Sequence, residues 1–165
     1  MKKQRIIFSL GSNLGNREAY LDEAVHELEN QLFLTDSKRS KIFKNPAMLL
    51  PNSPKEWDRE FFNIALSADI DLDKFPPQKI LEITQKTEKK LGRIDREKWS
   101  PREIDIDILA IGEMKIYIEH QLTIPHPGLM ERDFFLKTTE EIEPQILKKL
   151  NPDPSLEIQD TLAKA

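Results

Sequence analysis

Asp105 and Asp107 alternate with Ile104, Ile106 and Ile108 in the run Ile-Asp-Ile-Asp-Ile. Strict alternation of β-branched apolar residues with carboxylates reads as a strand, because successive side chains on a strand point to opposite faces. The three isoleucines then meet a core, and the two carboxylates stand side by side on the other face, roughly 6–7 Å apart. Like charges so placed repel, and a divalent cation between them turns that repulsion into binding. Hard carboxylate oxygens select Mg2+ or Mn2+. Read alone, the pattern also fits an ordinary amphipathic strand with two acids on its wet face, and that plainer account is the commoner one.

The neighbouring residues bear on the choice. Lys86 to Arg102 holds seven basic residues (Lys86, Lys89, Lys90, Arg93, Arg96, Lys98, Arg102) against three acids, in a chain of net charge −4. Acids that hold a metal beside arginines and lysines suit a polyphosphate: the metal bridges oxygens, and the cations neutralise charge that develops during transfer. Lys86, Lys89 and Lys90 are equally explained as basic residues at a helix C-terminus. Arg93, Arg96, Lys98 and Arg102 lie beyond that helix and are the candidate phosphate contacts. Trp99, in the same loop, can stack on a flat ligand or cover the sheet edge. His126 stands between Pro125 and Pro127, ahead of Arg132 and Phe134; it can donate to a phosphate oxygen or serve as a hydrogen-bonded structural residue. His26 and His120 call for no chemical role. The turn Gly11-Ser-Asn-Leu-Gly15 lacks the Gly-Lys-Ser/Thr of a P-loop and the spacing of a dinucleotide fingerprint. It reads as a strand-to-helix turn that needs glycine dihedrals.

These residues need elements to hold them. Arg5–Leu10 reads as a buried strand. Leu21, Val25, Leu28 and Leu32 recur at helical spacing, giving a helix over Arg17–Gln31 with Asn16 as its cap. Leu32–Phe43 reads as a second strand, and Asn45–Glu60, with Pro46, Pro51 and Pro54, as a long loop. Phe61–Ile70 is a third strand. Pro76-Pro77 start a helix that runs to Leu91 and stops at Gly92. The basic loop Arg93–Arg102 leads into a strand over Glu103–Ile111, with a hairpin turn at Gly112-Glu113 into Lys115–Ile118. A short helix near Gly128–Arg132 and a polar C-terminal part complete the chain. The order β-α-β-β-α-β predicts an α+β, ferredoxin-like sandwich, an antiparallel sheet with helices on one face.

The 165 residues suffice for one core, read as a single domain over 1–150 with a tail over 151–165. The chain has no cysteine, so it has no disulfide framework or thiolate metal site, and a reducing cytoplasm is the expected home. The apolar run near the N-terminus is short for a signal peptide, and no stretch is long enough for a transmembrane helix. A net negative chain is a poor general binder of nucleic acid or anionic membrane. Nothing in the sequence calls for more than a monomer.

Gly11-Ser-Asn-Leu-Gly-Asn16, Phe61-Phe62-Asn63, Leu91-Gly-Arg93, Trp99-Ser-Pro-Arg102-Glu-Ile-Asp105-Ile-Asp107-Ile-Leu109 and Leu122-Thr-Ile-Pro-His126-Pro occur in that order. With these blocks the chain resembles the 6-hydroxymethyl-7,8-dihydropterin pyrophosphokinases of folate biosynthesis, from about Ile6 to Pro144. The resemblance implies transfer of the pyrophosphoryl group of ATP to the pterin hydroxymethyl, with release of AMP. It implies two Mg2+ ions on Asp105 and Asp107, with Arg93 and Arg102 as catalytic cations and Arg93, Arg102, His126 and Arg132 on the triphosphate. Arg96, Lys98 and Trp99 belong to the same ATP-binding loop. Gln85 and Glu88 are implied near the nucleotide, and Ile108, Leu122 and Thr123 around the adenine. Asn63 would read the polar edge of the pterin, with Phe61 and Phe134 on its two faces, and Trp99, Asn45, Pro46 and Met48 as further contacts. Lys98 stands where the family usually has arginine, and Thr138-Thr139 where Pro-Leu is frequent.

In this mechanism the hydroxyl attacks the β-phosphorus in line, and the protein mostly positions groups and neutralises charge. Asn45–Glu60 and Arg93–Arg102 are expected to close as lids. Two other classes remain open on residues alone: a ferredoxin-like nucleic-acid-binding module, which the charge opposes, and a Mg2+-dependent nucleotidyl- or glycosyltransferase, which would not release AMP.

Overall fold

Ile6, Ile7, Phe8 and Leu10 are wholly buried, because their strand runs inside a sheet with helices on both sides. In the computed structural model, which describes residues 2–46, 51–55, 59–92 and 103–151, this strand is β1 (Lys3–Ser12). It pairs antiparallel with β4 (Phe61–Asp71) on one side and β5 (Asp105–Ile111) on the other. β2 (Thr35–Arg39) and β3 (Phe43–Asn45) both pair with the far edge of β4, so the order across the sheet is β2/β3, β4, β1, β5. With α1 (Arg17–Gln31) after β1 and α2 (Pro77–Lys90) after β4, this is the expected α+β ferredoxin-like arrangement. Asn16 caps α1 through its Oδ1, which accepts the Ala19 N–H at 3.1 Å, and Gly92 follows α2 at φ +102°.

α1 and α2 cover one face of the sheet. Leu21, Ala24, Val25 and Leu28 from α1 and Ile80 and Ile83 from α2 pack there on Ile6, Phe8, Leu10, Ile64, Leu66, Ile106 and Ile108. The expectation of helices on one face only is corrected by α3 (Asp133–Ile142) and α4 (Pro144–Leu150). Phe135, Leu136 and Leu147 pack with Leu129 against Ile7, Leu109 and Ala110 on the opposite face. Pro144, in the stretch read from sequence only as a polar C-terminal part, is the first residue of α4, a position where its missing N–H costs nothing. The short helix expected at Gly128–Arg132 is a turn, and the helix begins at Asp133.

Two strand readings also change. The stretch Leu32–Phe43 is divided between β2 and β3. Lys115–Ile118 does not fold back on β5: β6 (Ile116–Ile118) pairs with β7 (Leu122–Ile124) as a separate ribbon. The two apolar-polar-apolar triplets match each other across three residues, which favours the local pairing. β5 itself carries a bulge. Ile7 pairs with Ala110 but Phe8 pairs with Ile108, so Leu109 is extra and the alternation of faces reverses there. That is why Ile106, Ile108 and Ile111 join one core while Leu109 and Ala110 join the other.

Candidate active site

The second face of the sheet is capped by α3 and α4 at one end and carries polar residues at the other. The antiparallel register puts Asp105 opposite Gly11, Gly11 opposite Asn63, and Asn63 opposite Phe43. One row across four strands therefore reads carboxylate, glycine, amide, aromatic. The next row holds Asp107 opposite Ser9, and Ser9 opposite Ala65. Since opposed residues share a face, Asp105 and Asp107 stand together, with Asn63 two strands away, about 10 Å from Asp105.

Gly11 is the piece the sequence reading assigned wrongly. It lies inside β1, and the turn dihedral is supplied by Gly15 at φ +68°. What Gly11 contributes is space: a Cβ there would lie 2.8 Å from the Asn63 Oδ1 and 3.6 Å from the Phe61 ring. Asn63 is 3% exposed. Its Nδ2 donates to the Phe43 carbonyl at 3.2 Å and to the Asn45 Oδ1. Both amide protons are thus directed within the protein, and the Oδ1 lies over Gly11. Phe61 shares the face of Asn63, and its approach is fixed from the β1–α1 turn: Asn13 donates to the Arg59 carbonyl at 3.3 Å, and Arg17 to the Glu60 carbonyl at 2.7 Å. The Arg17 guanidinium also sits 4.0 Å over the Phe62 ring.

At the other end of the site, the His126 backbone N–H is held by the Leu109 carbonyl at 2.8 Å, which brings the imidazole to Asp107. Its Nδ1 accepts the Gly128 N–H at 2.9 Å, and its Nε2 lies 3.9 Å from the Asp107 Oδ1. Burial, and then the nearby Arg132, hold the His126 pKa below the usual value. The ring is therefore neutral at pH 7, with its proton on Nε2 and directed at the carboxylate side of the site. Arg132 immediately precedes α3 without a side-chain capping bond, its guanidinium 5.3 Å from the Phe135 ring. Phe134 follows it, half-buried, its ring 4.5 Å from that of Phe135.

A cleft of about 410 Å³ runs along the outer edge of β5, lined by Leu81, Ile106, Ile108, Ile118 and Leu122 with Thr123, and ending at Asp107 and His126. A slot of mixed lining, apolar along Leu81, Ile106 and Ile108 and polar at His120, Gln121 and Thr123, that opens on a carboxylate suits a flat base with polar edges and a charged tail. Tyr117, Ile118, Gln121 and Leu81 belong to this lining and were not singled out from sequence; the alternation of the β6–β7 ribbon was the available signal. Gln85 is exposed on α2, one turn beyond Leu81. Glu88 is buried, and its Oε2 accepts the Ile106 N–H at 2.8 Å. It closes the free edge of the strand that carries both carboxylates.

Asp105 and Asp107 fit a hard divalent cation. Among the described residues no group of three or more His, Cys, Asp or Glu side chains gathers as a metal cage, and two carboxylates completed by phosphate oxygens and water is the set that Mg2+ favours. Arg93, Arg96, Lys98, Trp99, Arg102 and Met48 lie outside the described residues. So does most of the two expected lids, although Asn45 ends β3 and Pro46 follows it.

The profile of the 7,8-dihydro-6-hydroxymethylpterin-pyrophosphokinase family matches residues 7–144. The 2-amino-4-hydroxy-6-hydroxymethyldihydropteridine pyrophosphokinase of Aquifex aeolicus is 37% identical over 154 residues, covering 93% of this chain and 89% of its own length. That of Bacillus subtilis is 37% identical over 141 residues, covering 86% and 79%. A folate synthesis bifunctional protein of Chlamydia caviae is 41% identical over 134 residues, covering 81% of this chain but 29% of its own length. The chain thus spans less than a third of the length of that bifunctional relative. Among solved structures, wild-type HPPK-DHPS of Plasmodium falciparum superposes with a TM-score of 0.64 at 13% identity, over 99% of this chain and 45% of that one; at that identity the likeness speaks for the fold alone. With the profile spanning nearly the whole described chain and the Aquifex relative matched over most of both lengths, the chain belongs to the 7,8-dihydro-6-hydroxymethylpterin-pyrophosphokinase family, a family of transferases.

Proposed function

We propose that residues 1–150 form a pyrophosphokinase domain, followed by a tail over 151–165, that transfers the pyrophosphoryl group of ATP to 6-hydroxymethyl-7,8-dihydropterin in folate biosynthesis. The observation that supports this reading is the row Asp105–Gly11–Asn63: a carboxylate and a buried amide on one face of the sheet, with a gap between them where a side chain would otherwise stand. The acceptor hydroxyl oxygen attacks the β-phosphorus and releases its proton to solvent, the bond to the α-phosphate oxygen breaks, and AMP leaves with that oxygen. Two Mg2+ ions on Asp105 and Asp107 would, when bound, offset phosphate charge and lower the pKa of a bound hydroxyl.

The chain's own residues position and neutralise. His126 offers its Nε2 proton to a phosphate oxygen, and Arg132 adds a fixed positive charge beside it. The slot along β5 takes the adenine against Ile108, Leu122 and Thr123. Asn63 accepts from the pterin through its Oδ1, while Phe61 and Phe134 offer faces for the ring. Arg93 and Arg102 complete the charge balance. The absence of cysteine fits a reducing cytoplasm, and a monomer suffices for every residue invoked. Among the described residues no helix is long and apolar enough to cross a membrane.

Incubation with ATP, Mg2+ and the hydroxymethylpterin should release AMP in step with pterin diphosphate. EDTA should abolish that release, as should D105N and D107N. ADP or free pyrophosphate as the product, or AMP release that ignores the pterin, would overturn the reading.

A further inference from the structure

Between Arg39 and Phe43 the outer strand gains one residue. Arg39 pairs with Leu66 and Phe43 with Asn63, so three steps along β4 are matched by four along its partner. In an unbroken register Ile42 would stand opposite Asn63, on the face of the site. The extra residue reverses the alternation. Ile42 packs instead against the α1/α2 core, and Phe43 and Asn45 come opposite Asn63 and Phe61. Only in this register does the Asn45 Oδ1 meet the Asn63 amide.

A bulge leaves backbone groups without their ladder partners, so something else must satisfy them. Ser40 does part of this: its Oγ accepts the Ala65 N–H at 2.9 Å and donates to the Lys41 carbonyl at 2.9 Å. The Lys41 N–H is taken by Glu141, whose Oε2 accepts it at 2.8 Å. Glu141 lies on α3, and Lys137, one turn earlier on the same side of that helix, places its ammonium 5.4 Å from the Phe43 ring. α3 therefore holds the bulge at Lys41 and β3 at Phe43 while presenting Phe134 and Arg132 at its own start.

We propose that Glu141, with Ser40, is a positioning residue for the acceptor pocket: it pins the bulge that aligns Asn45 with Asn63, and so sets affinity for the heterocyclic acceptor while leaving the nucleotide side alone. The proposal rests on the assignment of Asn63 to the pterin.

Two measurements on the full chain test it. The first is the KM for each substrate and kcat in wild type, E141A, E141Q and S40A. The second is the NMR positions of the Asn45 and Asn63 side-chain amides without any substrate. E141A and S40A should raise the pterin KM about five-fold, hold kcat and the ATP KM, and move both amide signals. E141Q, whose Oε1 still accepts from Lys41, should return all of these to wild type. An unmoved pterin KM and unmoved amides in E141A overturn the proposal, as does an equal rise in both KM values that E141Q fails to rescue. The amide signals need no turnover, so an inactive wild type would sink the assignment of the reaction while the role of Glu141 is still decided.

Discussion

His126 and Asp107 face each other across 3.9 Å, ring Nε2 to carboxylate Oδ1, while the other ring nitrogen takes the Gly128 N–H at 2.9 Å. One ring thus does two separable jobs. H126N keeps an acceptor near the Nδ1 position but loses the Nε2 donor. It should hold its Tm and raise the ATP KM about ten-fold, the worth of one hydrogen bond to a charged group. H126A loses both jobs and should in addition lose about 1 kcal/mol of stability. Steady-state kinetics and denaturant melts separate the two effects.

Gly11 is a glycine for the room it leaves. In G11A the new methyl meets the Asn63 Oδ1 at 2.8 Å, and the amide is buried and cannot swing clear. The pterin KM should rise sharply or pterin binding vanish, while nucleotide binding on the far side of β5 persists. Overpacking of this kind should cost about 1–3 kcal/mol. Calorimetric titration with each ligand checks the split.

Glu88 closes the outer edge of β5. In E88A the Ile106 N–H is left buried without its acceptor, at a cost of about 1–3 kcal/mol. E88Q retains a carbonyl oxygen and should recover most of it. Urea denaturation of the two variants is the measurement, and equal stabilities would show that the carboxylate does not act as this acceptor.

Glu140 carries the opposite strain. Its Oε2 is buried without a hydrogen-bond partner, and burial raises its pKa above 4.5 against a smaller opposing effect of Lys148. A carboxyl whose folded pKa is raised disfavours the fold where it is ionised, and the penalty disappears as pH falls through that pKa. E140Q should therefore raise Tm by about 1–3 °C at pH 7 and match wild type near pH 4. A gain that persists at pH 4 would point to packing instead of charge.

The sheet and its first two helices were legible because their patterns are local. Asn16 and Gly92 bound helices by backbone chemistry that any sequence displays. The Ile-Asp-Ile-Asp-Ile run displayed its own two faces. α3 was expected one turn too early, near Gly128–Arg132, and α4 lay in a stretch read only as a polar C-terminal part, although its Pro144 stands at a position where a helix can start. β6 was paired with the wrong neighbour because a glycine turn says where the chain reverses, not which strand receives it. In the site, the Asp pair and His126 stood out by residue type and spacing, and Asn63 only through the family resemblance. Gly11 and Glu141 did not: the value of an absent side chain, or of a surface glutamate 100 residues from its partner, exists only once the strands are in register.

Asp105 and Asp107 sit on a strand laced to β1, and β1 is enclosed by helices on both faces. These carboxylates cannot be displaced by the fraying that loosens a surface loop; separating them means tearing the sheet. The amides of β5 that donate to β1 should be among the slowest in the molecule to exchange with solvent. A cation held by both carboxylates would then be released only as β5 parts from β1.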